Sequence, residues 1–471
     1  MTVRRQPGAA HSITIRTSYP NTVGMLGQIT TNISAAGGDI GAIDIVSAGR
    51  NSMVRDITIN ARDDSHADIL KEAVSNVEGV TIVNVSDQVF LRHLGGKIEM
   101  QSKAPIKTRN DMSLIYTPGV ARVSKAIHEQ PESVWNLTSK GNTVAIVTDG
   151  SAVLGLGDIG PAAALPVMEG KAQLLKELVG VDAWPIVLDT HDTTKIVDTI
   201  KLISPGFGAI NLEDISAPRC FEIEQRLHKE LDIPVFHDDQ HGTAIVVLAA
   251  LYNAVKVVNK KLPELKVVLV GVGAAGVATT KLLIKAGVKD IVGVDRVGIL
   301  DRQKDYENNK VWKEYSEITN PHNISGQIKE AVKGADVFIG LSGPGVLQLE
   351  DVSLMNKKPI IFAMANPDPE IWPEEVEGLV EVMATGRSDY PNQVNNALCF
   401  PGIFRGILDA RAQKVTDEMK MAAAFAISRG VPESHINNEY IMPSIFDTDV
   451  ADQVAKNVKA AAIKSGVALK N

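Results

Sequence analysis

An apolar run at 265–270 feeds directly into Gly271-Val272-Gly273-Ala274-Ala275-Gly276; a helical pattern follows, and the next strand-like run ends on Asp295. Strand, G-x-G-x-x-G, helix, strand and terminal acid is the order that a dinucleotide site needs. Gly271 permits the tight turn, Gly273 lets a pyrophosphate approach the backbone, and Gly276 lets helix and strand pack closely. Ala274 and Ala275 open the helix, where free N–H groups and the dipole favour an anion. Asp295 is placed to accept hydrogen bonds from the adenosine ribose and to repel a 2′-phosphate, which favours NAD. The neighbouring Arg296 could offset that repulsion, so NADP stays open. A second match, Gly155-Leu156-Gly157-Asp158-Ile159-Gly160, has no following strand ending in an acid at the right distance. It is assigned to substrate-site architecture.

Acids provide the second chemistry. The run 209–212 ends in Glu213-Asp214, and 233–236 ends in His237-Asp238-Asp239-Gln240-His241-Gly242-Thr243. In open α/β sheets, ligands bind beyond the carboxyl ends of strands. Oxygens from Glu213, Asp214 and Asp239 suit a hard divalent ion, Mg²⁺ or Mn²⁺, with positions left for substrate. Taken alone, Asp239 reads equally well as the N-cap of a helix starting near His241. Capping gives no reason for Glu213-Asp214. His237 and His241 read as groups that orient the ligands rather than as zinc ligands.

These residues need rigid supports, and the chain alternates strands and helices as a doubly wound α/β protein does. Strand-like runs occur at 144–147, 184–188, 209–212, 267–270, 290–294, 337–339 and 360–363, and packing helices are expected from Asp417 onward. Residues 11–90 have a different pattern. Strands at 12–17, 40–46, 54–60 and 80–90 and helices at 24–36 and 65–77 give the βαββαβ order of a ferredoxin-like unit. Leu94-Gly95-Gly96-Lys97 reads as the linker out of it. The expected domains are therefore 1–95, 96–239 and a Rossmann-type 240–471, in keeping with a length of 471 residues.

Composition excludes several classes. With 48 basic and 56 acidic side chains the net charge is −8, which offers no electrostatic footprint for nucleic acid. Cys220 and Cys399 lie too far apart for a metal motif, and two cysteines make no disulfide framework, so a reducing compartment is expected. No run approaches the ~18 apolar residues of a membrane span. The N-terminus also lacks the apolar core of a secretory signal. The expected location is the cytoplasm.

Several separated segments together resemble the malic enzymes, over residues 97–471. They are Tyr116-Thr117-Pro118-Gly119-Val120-Ala121, Thr148-Asp149-Gly150 with Leu154-Gly155-Leu156-Gly157-Asp158, the stretch 166–171, Glu213-Asp214, 237–243, Asn366-Pro367 and Asn395-Asn396. The wording Val167-Met168-Glu169-Gly170-Lys171 is similar to the shorter, bacterial-type branch. The resemblance implies oxidative decarboxylation of L-malate to pyruvate and CO₂ with reduction of NAD or NADP, a divalent metal, and a homodimer or higher homo-oligomer. By the same resemblance Tyr116 is the acid that protonates the three-carbon enol and Lys171 the base for the malate hydroxyl. Glu213, Asp214 and Asp239 are the metal ligands with Asp238 beside them, and Asn366 and Asn396 hold substrate or the nicotinamide end. A lysine serves as base only if burial or neighbouring cations lower its pKa. One departure stands out. Longer malic enzymes carry an arginine before the Leu-Gly-Leu-Gly segment that grips a substrate carboxylate, and here the position is Ala152, beside Ser151.

Malolactic or oxaloacetate-decarboxylating activity on the same scaffold is the nearest alternative. An amino-acid dehydrogenase is a more distant one, and a metabolite-sensing protein with a degenerate enzyme domain comes from another class. At the N-terminus, Pro20-Asn21-Thr22-Val23-Gly24-Met25-Leu26-Gly27-Gln28-Ile29 resembles the first strand-to-helix turn of an ACT domain, which implies a small-metabolite effector. A docking or dimerising module without ligand is the other reading.

Overall fold

The computed structural model describes residues 7–307 and 309–470, and the chain divides into two compact units at Glu99/Met100. In the first, Ile13, Ile15, Thr17 and Tyr19 are buried at a period of two, as a strand with one covered face requires. Strands β1 (Gly8–Pro20), β2 (Asp39–Ala48), β3 (Ser52–Ala61) and β4 (Thr81–Asp87) form an antiparallel sheet in the order β2-β3-β1-β4. Helices Met25–Ala35 and Asp64–Ser75 cover one face, burying Ile29, Ile33, Leu70 and Val74 against Ile15, Ile57 and Ile59. The observed order is βαββαβ. The last strand is shorter than the sequence reading: 88–90 belong to the helix Gln88–His93. Asp87 ends the strand because its carboxylate accepts the N–H groups of Val89 and Phe90, an N-cap that starts a helix instead.

The second unit holds two largely parallel sheets. Strands β5 (Thr143–Thr148), β6 (Asp182–Val187), β7 (Ala209–Leu212) and β8 (Val235–His237) lie in the order β6-β5-β7-β8, all parallel. Strands β9 (Lys266–Val270), β10 (Asp290–Asp295), β11 (Gly298–Ile299), β12 (Val337–Gly340), β13 (Ile360–Ala363) and β14 (Val382–Thr385) lie in the order β11-β10-β9-β12-β13-β14, with only the edge strand β11 antiparallel. The near-continuous apolar runs of β5, β7–β9, β12 and β13 follow from burial on both faces, whereas the edge strand β6 is only partly buried. Each sheet grows outward from its first strand in both directions, so β5/β7 and β9/β12 are the switch points where crevices open.

The helix Thr243–Val258 is apolar all round because it lies in the core. With the preceding turn it makes a 21-residue helical stretch at a mean hydropathy of 1.5, long and apolar enough to cross a membrane by composition. The sequence reading flags no such run; most of the stretch is buried inside the protein, which explains the apolarity. In the tail, helix Phe400–Ala410 presents Gly402 and Gly406 to helix Thr448–Lys464. A Cβ on either glycine would come within 2.6 Å of Val454 or 2.8 Å of Val458, so only glycine permits this approach.

Candidate active site and metal centre

Strands β7 and β8 are neighbours, so the acids that follow them emerge side by side. Glu213, Asp214 and Asp239 offer oxygens that all lie within 4.8 Å of one another. Glu213 and Asp214 are buried. Asp239 Oδ2 accepts the backbone N–H of Asp214 at 2.8 Å, and Asp239 caps no helix. The chain passes Asp238–Gly242 as a single wide π-helical turn before the α-helix begins at Thr243.

Three clustered carboxylates repel one another. Burial, then Asp239, pushes the Asp214 carboxyl up to about 7, and burial holds Glu213 well above the ordinary range. Asp214 Oδ2 is buried without a hydrogen-bond partner among the described residues. Buried, mutually repelling oxygens with one left unpaired form a donor set that fits a hard divalent cation.

Lys171, on the helix Pro161–Val179, reaches this group. Its Nζ lies 2.9 Å from Glu213 Oε1, donates to Asp238, and sits 4.5 Å from the centre of the Phe400 ring. The expectation of a lowered lysine pKa is not met by the chain alone. Burial acts in that direction, but Asp238, Glu213 and Asp239 override it and hold the ammonium form. Asn396 Nδ2 lies 3.3 Å from Asp238 Oδ2 and 3.2 Å from Thr243 Oγ1, so it belongs to the same cluster.

The dinucleotide motif sits beside it. Gly271 has a φ of 97°, and a Cβ there would meet Leu341 O at 2.4 Å. A Cβ on Gly276 would lie 2.0 Å from Gly271 O, whereas Gly273 faces open space. The helix Ala274–Lys285 starts without a side-chain cap, leaving its first N–H groups available, and packs on the Asp238–Gly242 turn. Asp295 accepts from Val272 N–H at 2.7 Å and from Arg296 N–H at 2.8 Å. Its carboxylate therefore also shapes the turn. Asn366 is exposed after β13, and its carbonyl lies so close to Gly155 that a Cβ there would come within 2.2 Å. The second glycine stretch thus packs against the nucleotide-side loop.

Several residues escaped the sequence reading. Glu224 bonds His237 N–H, Gln240 Nε2 and His241 Nε2, holding the turn that carries Asp238 and Asp239. Its signal was an acid in register with buried Cys220, Ile223 and Leu227. Arg219 donates to Asp149 Oδ2 at 2.7 Å and to Ser151 Oγ at 2.9 Å, beside Ala152. In the sequence the buried Asp149 stands out only as part of the Thr148-Asp149-Gly150 motif.

Against known proteins, the family model for the malic enzyme N-terminal domain matches residues 95–198, and that for the malic enzyme NAD-binding domain matches 240–463. An NAD-dependent malic enzyme from Geobacillus stearothermophilus is 58% identical over 98% of this chain and 97% of its own. The chain belongs to the malic enzyme family. A bifunctional malic/malolactic enzyme of Bacillus subtilis is 54% identical over 79% of this chain and 91% of its own. The crystal structure of a malic enzyme from Thermotoga maritima, described as NAD-dependent, is 49% identical with a TM-score of 0.76, covering 79% of this chain and 99% of that one.

In this malic enzyme chain one residue stands apart from the cluster. Tyr116 is 64% exposed, and its hydroxyl makes no hydrogen bond among the described residues. The helices on either side, Arg109–Ile115 and Gly119–Glu129, bury no side chain. Met100, Ile106, Met112, Leu114 and Ile115 are also exposed.

Proposed function

We propose that this chain oxidatively decarboxylates L-malate to pyruvate and CO₂ with reduction of NAD, NADP being the secondary acceptor. The observation that carries the reading is Lys171 in contact with Glu213 and Asp238, beside three convergent carboxylates and against the dinucleotide helix. Glu213, Asp214 and Asp239 would hold Mg²⁺ or Mn²⁺, which supplies Lewis-acid polarisation of the substrate oxygens. The 271–276 turn would hold the NAD pyrophosphate and Asp295 the adenosine ribose, and NAD would supply a hydride acceptor.

The chain's own groups do the rest. Lys171, oriented by Asp238 and Glu213, takes the malate hydroxyl proton at Nζ as the neutral amine, a form that a divalent cation held by Glu213, Asp214 and Asp239 would favour by offsetting the field of those carboxylates. Asn366 and Asn396 orient substrate and nicotinamide. After CO₂ departs, the Tyr116 hydroxyl delivers a proton to C3 of the enol. Because Tyr116 lies on an exposed, apolar segment without a hydrogen bond to the cluster, it reaches the site of a second copy, which makes the enzyme a homodimer or higher homo-oligomer.

The domains follow as 1–95, 96–239 and 240–471. The first is a ferredoxin-like, ACT-like module that takes a small-metabolite effector. Deleting residues 1–95 is expected to leave basal turnover and remove any effector response. The location that fits is the cytoplasm. One assay tests the core of the reading: malate with NAD or NADP, with and without Mn²⁺, following free NADH and products. Lactate without free NADH would instead identify the malolactic reaction, and turnover independent of metal would overturn the metal assignment.

A further inference from the structure

Glu370 lies in the loop after β13 and is wholly buried, yet among the described residues no lysine, arginine or histidine pairs with it. Burying a carboxylate without a counter-ion is costly unless its oxygens are hydrogen-bonded. Here each oxygen meets a backbone donor from a different strand end. Oε1 accepts Ser342 N–H at 3.0 Å, after β12, and Oε2 accepts Ala365 N–H at 3.0 Å, after β13. Space for the carboxylate exists because residue 340, at the end of β12, is glycine: a Cβ there would stand 2.3 Å from the Glu370 carboxyl carbon.

Both loops continue to the reaction centre. Leu341 and Ser342 touch Gly271 of the pyrophosphate turn, and Ala365 is followed by Asn366, whose carbonyl packs on Gly155 of the substrate-side loop. One carboxylate therefore ties the pyrophosphate turn, the Asn366 loop and, through Asn366, the 149–160 loop. A glutamine could not replace it, since its amide nitrogen would face one of the two N–H donors.

We propose that Glu370 is a positioning residue that sets the nicotinamide end of the cofactor against the substrate, an inference that rests on the cofactor reading above. A 1 Å misplacement of reacting groups is enough to cost about 100-fold in rate, and Glu370 is the group that holds two of the three loops in register.

The test measures NAD binding by titration calorimetry, Mn²⁺ binding without cofactor, and the primary isotope effect with malate deuterated at C2. In E370Q the NAD dissociation constant is expected to rise about tenfold, the scale of one lost hydrogen bond. The isotope effect rises with it as hydride transfer becomes limiting. Mn²⁺ affinity stays unchanged, because Glu213, Asp214 and Asp239 stand on other loops. E370D keeps both acceptor oxygens and is expected to recover part of the NAD affinity. If E370Q folds with lowered thermal stability but unaltered NAD affinity and isotope effect, Glu370 is only a structural tie and the inference is overturned. If E370Q does not fold, E370D decides: a shorter carboxylate with parental NAD affinity and isotope effect overturns the inference too. Failure of the parent protein to bind NAD overturns the cofactor reading itself.

Discussion

The carboxylate of Asp239 accepts the backbone N–H of Asp214, at 2.8 Å, across the seam between two neighbouring parallel strands. Asp214 holds a left-handed φ of 53°, an uncommon conformation for a residue with a side chain. The bond explains why it is tolerated: it fixes the strand-end loop so that Glu213 and Asp214 point toward Asp239.

That bond separates charge from geometry in a test. In D239N the amide oxygen still accepts the Asp214 N–H, so the fold is kept while one ligand charge is lost. Even partners outside a ligand set change metal affinity 10–100-fold, so the Mn²⁺ dissociation constant is expected to rise by at least about 100-fold. Turnover should fall with it. Removing metal from the parent protein with a chelator should abolish turnover, and Mn²⁺ should restore it. Unchanged Mn²⁺ binding in D239N removes Asp239 from the ligand set.

Arg219 answers to the buried Asp149. Asp149 is fully buried, with Arg219 at 2.7 Å and His191 Nδ1 at 3.3 Å from the same oxygen, and Arg219 also holds Ser151, which in turn accepts Ser216 N–H at 2.9 Å. Truncating one partner of a buried pair costs more than removing both, because the other charge is stranded. R219A is therefore expected to lose about 3 kcal/mol in urea unfolding. Adding D149N should return part of it. A fully additive double variant would show the pair is not coupled.

Glu224 sets an acid limit on stability. Burial alone would raise its carboxyl, but His241, by charge and hydrogen bond, brings it down to about 2. A carboxyl held below its unfolded value of about 4.5 stabilises the fold above that value and loses the contribution as pH falls toward 2. Between those limits the parent protein should lose about 3 kcal/mol through this group, and E224Q should lose none of it. The check is urea unfolding from pH 6 to 2. Parallel curves for the two proteins would exclude Glu224 as the titrating group.

Much of this fold could be read from the chain because parallel strands buried on both faces leave unbroken apolar runs. The 209–212 run coincides with β7, and β9 and β13 fall where the runs at 267–270 and 360–363 place them. The glycines at 271 and 276 were also legible, since the positive φ of Gly271 and the packing of Gly276 on the Gly271 carbonyl are local to the motif. Glu224, Glu370 and Arg219 were not, since each acts through backbone or side chains brought close only by strand pairing. Lys171 shows a further limit. Its identity was readable, but the field of Asp238 and Glu213 that keeps it charged depends on distances no spacing contains.

Tyr116 and Lys171 make a final prediction together. Lys171 is packed within its own chain, whereas Tyr116 sits on an exposed segment with no hydrogen bond to that cluster. K171A should lower kcat by about 1,000-fold while NAD still binds, as expected for loss of a proton-transfer group. Y116F should reduce NAD but release pyruvate poorly. If Tyr116 serves the neighbouring subunit, mixing the two variants under exchange conditions regenerates one intact site in each mixed dimer. Half the dimers are mixed and half their sites are whole, so about a quarter of parental activity should return. If the tyrosine serves its own chain, every site in the mixture lacks one group, and no activity returns at any mixing ratio.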